Sequence, residues 1–168
     1  LLFSKKIMTF RHPSKIDTTT LTGMKHLGSF ISNLQLKSGA IPSNQDGSHD
    51  PWDHLEAVMG LATLGFNHEA MLGLQWMKDN QNEDGSWYNL YQDNEAIEKN
   101  KQSNFSTYIA VAVWQNYLLT NDLSILENFW NSIEEGMVFA LSLQHSNGAI
   151  AWNLDGLGVV DEDYLLTG

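Results

Sequence analysis

The sequence contains no cysteine. Disulfides, cysteine-ligated zinc and thiol nucleophiles are therefore excluded. It has no run of eighteen apolar residues, so no segment is expected to span a membrane. Its start, "LLFSKKIMTFRHPSK", lacks the short apolar core and cleavage site of a secretory signal, and a cytoplasmic location is expected. It also lacks an initiator Met, and the chain is expected to be a piece of a longer reading frame. Bases are scarce, 9 Lys and Arg against 20 Asp and Glu. Four of the bases (Lys5, Lys6, Arg11, Lys15) sit in residues 1–16, which hold no acid. The remaining body repels a phosphate backbone, so nucleic acid is an unexpected partner. The division this implies is a loosely ordered basic arm, 1–16, and one domain, 17–168, truncated at its C-terminus.

What is present is a repeat. "LQLKSGAI" (34–41), "NQNEDGSW" (80–87) and "LQHSNGAI" (143–150) each place a Gln (Gln35, Gln81, Gln144) four residues before a Gly (Gly39, Gly85, Gly148). A small residue and then an apolar one follow. Helical periodicity fills the intervals. Apolar positions recur at three- and four-residue steps from Thr18 to Gln35, from Asp50 to Leu64, from His68 to Asn80 and from Asp122 to Gln144. Asn104 to Leu119 is apolar nearly all round and reads as a buried helix, with Asn104 as its cap. Trp76, Trp114 and Trp130 read as core. No strand is convincing; "GAIPS" and "GAIAW" read as short extended pieces in loops. Each buried helix follows a Gln–Gly loop, so the buried helices are expected to run parallel, with their N-termini on one rim.

That rim gathers 13 of the 20 acids, together with Trp52, Trp87 and Trp152. Its densest stretch is "GSHDPWDHLEAVMGLATLGF" (47–66). Asp50 is a good N-cap, Pro51 suits the first helical position, and Asp53 falls where capping boxes place an acid. Helix initiation leaves Trp52, His54 and Glu56 unexplained. Trp52 and Glu56 stand at i,i+4 with Asp53 beside them, which puts two carboxylates next to an aromatic wall. Asp53 and Glu56 are accordingly candidates for proton transfer. Asp50, Trp52, His54, Trp87, Asn104 and Trp152 are candidates for substrate binding. His49 and His54, five apart, meet metal spacing often by chance, and neither a metal nor a cofactor is expected.

"QNEDGSW" resembles the QW motif, Gln–x2-5–Gly–x–Trp, of squalene-hopene cyclases, and "LQLKSGAI" and "LQHSNGAI" resemble degenerate copies of it. The chain from about residue 18 is similar to the terpenoid cyclase and protein prenyltransferase group. "DPWDHLEA", "LQWMKDNQNEDGSWY", "NFSTYIAVAVW" and "DEDYLLTG" look like uncharacterised bacterial proteins labelled prenyltransferases by similarity. The resemblance implies an all-α fold, an α/α toroid of inner and outer helices, with about half of a six-hairpin barrel present. The remainder of the toroid, or a second chain, would cover the exposed inner helices. It also implies acid catalysis on a small isoprenoid. The cyclases protonate their substrate with an Asp–x–Asp–Asp cluster, and "VDEDYL" supplies Asp161, Glu162 and Asp163, with Tyr164 in the last acid's place. Protein prenyltransferases bind zinc partly through Cys, and the lack of Cys sets protein prenylation aside.

"DPWDH" (50–54) is also similar to the Asp–Leu–Trp–Glu–Glu motif of glucoamylases, which share the α/α toroid. Asp53 then matches the general acid, and His54 replaces the second Glu. A carbohydrate-active toroid with an acid/base pair and Trp platforms is thus the alternative to the isoprenoid enzyme. A non-catalytic binding scaffold is the second alternative.

Overall fold

The computed structural model describes residues 18–160 and 165–166. The basic arm, and Asp161, Asp163 and Tyr164 among the candidate site residues, lie outside them. Five helices follow the expected periodicity: α1 (Thr18–Leu34), α2 (Pro51–Thr63), α3 (Asn67–Asp79), α4 (Ser103–Thr120) and α5 (Leu123–Ser142).

The helix starts follow local chemistry. Asp50 caps α2, its carboxylate accepting the Asp53 N–H at 2.8 Å, and Pro51 opens the helix without a missing donor. Asp122 caps α5 through the Ser124 N–H at 3.0 Å. For α4 the expected cap is corrected. Gln102 is the N-cap residue and makes no side-chain cap bond, which leaves Asn104 inside the first turn.

Two layers result. α2 and α4 form the inner layer and lie side by side in parallel. Trp52 and Glu56 near the start of α2 meet Phe105 and Tyr108 near the start of α4, while Thr63 at the end of α2 takes a hydrogen bond from Gln115. α3 packs antiparallel on α2 and α5 on α4, each as a hairpin, and α1 lies beyond α2. Leu55, Val58 and Leu61 of α2, Leu74, Trp76 and Met77 of α3, Ile109 and Val113 of α4, and Phe129 of α5 interlock as one core. Each such side chain taken out of water is worth roughly 1.5–3 kcal/mol. The fold is an arc of an α/α toroid.

The Gln–Gly repeat fastens the outer layer. The Gln35 amide donates to Gly39 O and to Glu69 O of α3, both at 2.9 Å. Gln81 donates to Gly85 O at 3.0 Å and to Ser132 O of α5 at 2.9 Å. These two repeats thus tie one outer helix to the next.

A small sheet departs from the expectation of no strands. β1 (Tyr88–Gln92) and β2 (Glu95–Gln102) form an antiparallel hairpin, and β4 (Asn153–Leu154) adds to β2. β3 (Ile150–Ala151) pairs with β5 (Leu165–Leu166). Asp93 and Asn94 both adopt positive φ, 52° and 65°, the backbone of a tight hairpin turn. "DN" carries that turn without glycine, and β2 is too polar to show alternation, which hides both strands in the sequence.

Trp76 is core as expected, 1% exposed, but Trp114 (53%) and Trp130 (59%) are not. Both stand on the side of α4 and α5 against which no further helix is packed among the described residues. No helix among these residues is long and apolar enough to cross a membrane.

Candidate functional site

The buried stripe of α2 (His54, Leu55, Val58, Leu61, Ala62) faces the outer layer. Helical geometry turns Asp53 and Glu56 to the opposite side, where both are exposed. The corresponding open side of α4 carries Asn104 and Tyr108. Asp53, Glu56, Asn104 and Tyr108 therefore share the concave side of the arc, near the rim where both inner helices begin.

Trp52 joins the two helices. Its indole stacks on the Tyr108 ring with centroids 3.9 Å apart and planes within 6°, and Phe105 tilts against it at 6.5 Å. The Trp52 N–H donates to Glu56 Oε1 at 2.8 Å. The Tyr108 hydroxyl donates to the same oxygen at 3.4 Å. Two donors thus hold Oε1, while neither occupies Oε2. Burial, followed by the charge and hydrogen bond of Glu56, raises the pKa of Tyr108 above the usual phenol range. The tyrosine therefore stays a donor.

One turn earlier, Asp50 and Asp53 are adjacent. Burial raises the Asp50 pKa above the usual carboxylate range. The Asp53 backbone N–H opposes that rise, and the Asp53 charge adds to it. A half-buried acid that retains its proton more readily thus sits beside an exposed one. Across the rim, the Trp152 N–H donates to Asn104 Oδ1 at 2.8 Å and to Gln102 Oε1 at 2.9 Å. This brings the 145–154 loop against the start of α4.

Of the residues singled out in the sequence, Asp50, Trp52, Asp53 and Glu56 come together, with Asn104 and Trp152 alongside. His54 and Trp87 do not join them; both are 0% exposed. Nδ1 of His54 accepts the Ile41 N–H at 3.1 Å, which leaves the proton on Nε2 to be donated to Gly73 O at 3.0 Å. With both nitrogens occupied by backbone, burial drives the His54 pKa down to about 3. The ring links the 36–50 loop to α3 as a neutral strut. Trp87 donates to Met77 O at 2.8 Å from within the core, so it ties β1 to α3 and offers no free wall.

Tyr108, Phe105 and Gln102 were not singled out. Tyr108 could have been found from its place four residues after Asn104, but the surrounding apolar run reads as buried on every side. Several rim acids prove local. Asp46 Oδ1 accepts the Ser48 hydroxyl and N–H, which hold it below the usual carboxylate range. Asp84 is likewise held low: burial opposes this, but Lys101 and Ser86 prevail. Among the described residues, no three His, Cys, Asp or Glu are placed to share a metal ion.

No family model matches the chain. The MMP endo-(1,4)-3-O-methyl-alpha-D-mannosidase of Mycolicibacterium hassiacum is 35% identical over 138 residues. That match takes in 82% of this chain and 38% of the mannosidase, so the chain spans well under half of that relative. A sugar epimerase from a ruminal bacterium superposes with a TM-score of 0.65 at 13% identity, over 90% of this chain and 44% of the epimerase. The cellobiose 2-epimerase of Bacillus thermoamylovorans B4167 does so with a TM-score of 0.64 at 12% identity, over 90% and 43%. The two structural likenesses are of fold. All three relatives are carbohydrate enzymes. They favour the carbohydrate-active alternative, and the expected kinship with terpenoid cyclases and prenyltransferases finds no support in them.

Proposed function

We propose that the concave side of α2 and α4 is a saccharide site, in the polypeptide to which this chain belongs, that performs acid/base chemistry on a glycosidic bond. The observation that carries this reading is Glu56, held at Oε1 by Trp52 and Tyr108 beneath a stacked aromatic pair. Aromatic surface suits the apolar face of a sugar ring, and a carboxylate fixed by donors suits a base. Glu56 takes the base role, with Oε2 toward the reacting water or hydroxyl. Asp53 takes the acid role, beside Asp50, whose burial favours the protonated form. Asn104 and Trp152 flank the sugar. Asp161, Asp163 and Tyr164 follow the same rim in sequence and remain candidates for a further acid and a polar contact. α-Linked mannose oligosaccharides are the first substrate class to test, because the mannosidase relative matches most of this chain.

The test is a titration of tryptophan fluorescence with α-1,4-linked mannose oligosaccharides and, separately, with farnesyl diphosphate. Saturable quenching by the oligosaccharide, abolished in Trp52→Ala, supports the reading. A response to the diphosphate alone overturns it in favour of an isoprenoid ligand.

A further inference from the structure

The Gln–Gly repeat occurs three times, and two copies are filled in the same way. Gln35 bonds the backbone of α3 at Glu69, and Gly39 lies against the carbonyl of Leu72, three residues on. Gln81 bonds the backbone of α5 at Ser132, and Gly85 lies against the carbonyl of Glu135, again three residues on. A Cβ on either loop glycine would collide with that carbonyl. In both outer helices the next residue is itself glycine. Gly73 packs on Val58 of α2, and Gly136 packs on the Ser106 carbonyl of α4. The docked helix is therefore recognised by two backbone carbonyls three residues apart, followed at once by a glycine that lets the helix close on its own inner partner.

The third copy is built and, among the described residues, empty. Gln144 donates to Gly148 O at 2.9 Å, the same loop bond as in the other two. Among the described residues, nothing lies within 4 Å of a Cβ placed on Gly148, whose φ of +91° matches the +96° and +84° of Gly39 and Gly85. The surrounding apolar residues fit the same register. Leu141 stands in α5 where Lys78 stands in α3. Lys78 lies over the Phe129 ring and donates to Asn128 O, whereas Leu141 is 58% exposed. Met137 corresponds to Leu74, which is fully buried, and is 39% exposed. Counted from the helix caps, Val111 corresponds to Met59, which packs on the core; Val111 is 50% exposed.

We propose that Gln144 and Gly148, with Val111, Met137 and Leu141, form a docking socket for one further helical hairpin, supplied by the same polypeptide. Its outer helix presents two backbone carbonyls three residues apart and then a glycine, and its inner helix lies against Val111. The identity of the occupant follows from continuity. The two filled sockets are intrachain, each taken by the outer helix of the next hairpin, and the structural relatives are more than twice as long as the arc seen here.

Amide hydrogen exchange tests this, because the Gly85 and Gly148 N–H groups make equivalent loop hydrogen bonds, both at 2.9 Å. In the 168-residue chain the Gly148 amide should exchange at least about tenfold faster than the Gly85 amide, since only the latter is covered. A second chain repeats the known hairpin in register, with residues 1–150 followed directly by residues 88–168. There the first Gly148 amide should slow to the level of Gly85, and Gln144→Ala should reverse the slowing. Equal exchange at Gly85 and Gly148 in the 168-residue chain overturns the proposal. So does an extension that leaves Gly148 unchanged, whether or not its added helices fold. Light scattering supplies the last arm: a dimer of the 168-residue chain, dissociated by Leu141→Glu, identifies a second copy as occupant and overturns the intrachain assignment.

Discussion

The indole of Trp52 and the phenol of Tyr108 lie face to face, 3.9 Å apart, and both donate to the same oxygen of Glu56. The two rings come from different inner helices, so the parallel pairing of α2 and α4 is what assembles the group. Residues 56 positions apart in sequence act on one carboxylate.

On the proposed mechanism, Glu56→Gln removes the base while preserving the shape of the side chain. Hydrolysis of the oligosaccharide is expected to fall by about 10²–10⁴-fold with little change in binding, as loss of a general base does. Reducing-end release and the fluorescence titration measure the two quantities. An unchanged turnover rate would place the base elsewhere.

Tyr108→Phe keeps the stack and removes the hydroxyl. The remaining Trp52 N–H still holds Oε1, so activity should drop by no more than about tenfold, the equivalent of one modest hydrogen bond. The basic limb of the pH–rate profile should stay in place. Trp52→Ala, which removes both ring and donor, should do more damage than Tyr108→Phe in the same assay.

Acid should destabilise the fold through its buried histidines. His54 is held down to about 3 and His49 to about 4, in each case chiefly by burial. In the unfolded chain both titrate near pH 6.5. Above that pH both states are neutral and nothing is lost. As pH falls below 6.5 the unfolded chain takes up protons that the folded chain refuses. Stability then declines by up to about 1.4 kcal/mol per pH unit for each histidine, until the folded values are reached. Urea midpoints at pH 7, 6 and 5 measure the slope. Neither ring nitrogen of His49 has a hydrogen-bond partner among the described residues. His49→Phe should therefore flatten the slope without lowering stability at pH 7. A slope unaltered by that substitution would show that other groups govern the acid transition.

The repeat bonds predict a graded pair. Gln81→Ala loses two bonds to backbone and should cost about 1–3 kcal/mol. Gly85→Ala should cost more, because its φ is +84° and its new Cβ would meet the Glu135 carbonyl. Chemical denaturation ranks them, and the reverse order would contradict the close approach of loop and α5.

The toroid was legible in the sequence because its signals are local. The three- and four-residue apolar period marks the helices, the Asp50-Pro51 pair marks one start, and Gln35, Gln81 and Gln144 mark the repeat. Asp53 and Glu56 fall on the open side of α2 by the same helical arithmetic. The sequence could not show that His54, equally polar and one residue from Asp53, turns inward to bind backbone on two elements. It could not separate Trp87, sealed in the core, from Trp152, whose side chain reaches Asn104 and Gln102 at the rim. Nor could it distinguish the covered Trp76 from Trp114 and Trp130, since the difference lies in whether a neighbouring helix is present. Periodicity assigns a residue to a side of its own helix, a matter of bonds within one turn. Only the packing of α2 against α4 decides that Trp52, Glu56 and Tyr108 meet, because that contact is set by the whole core between them.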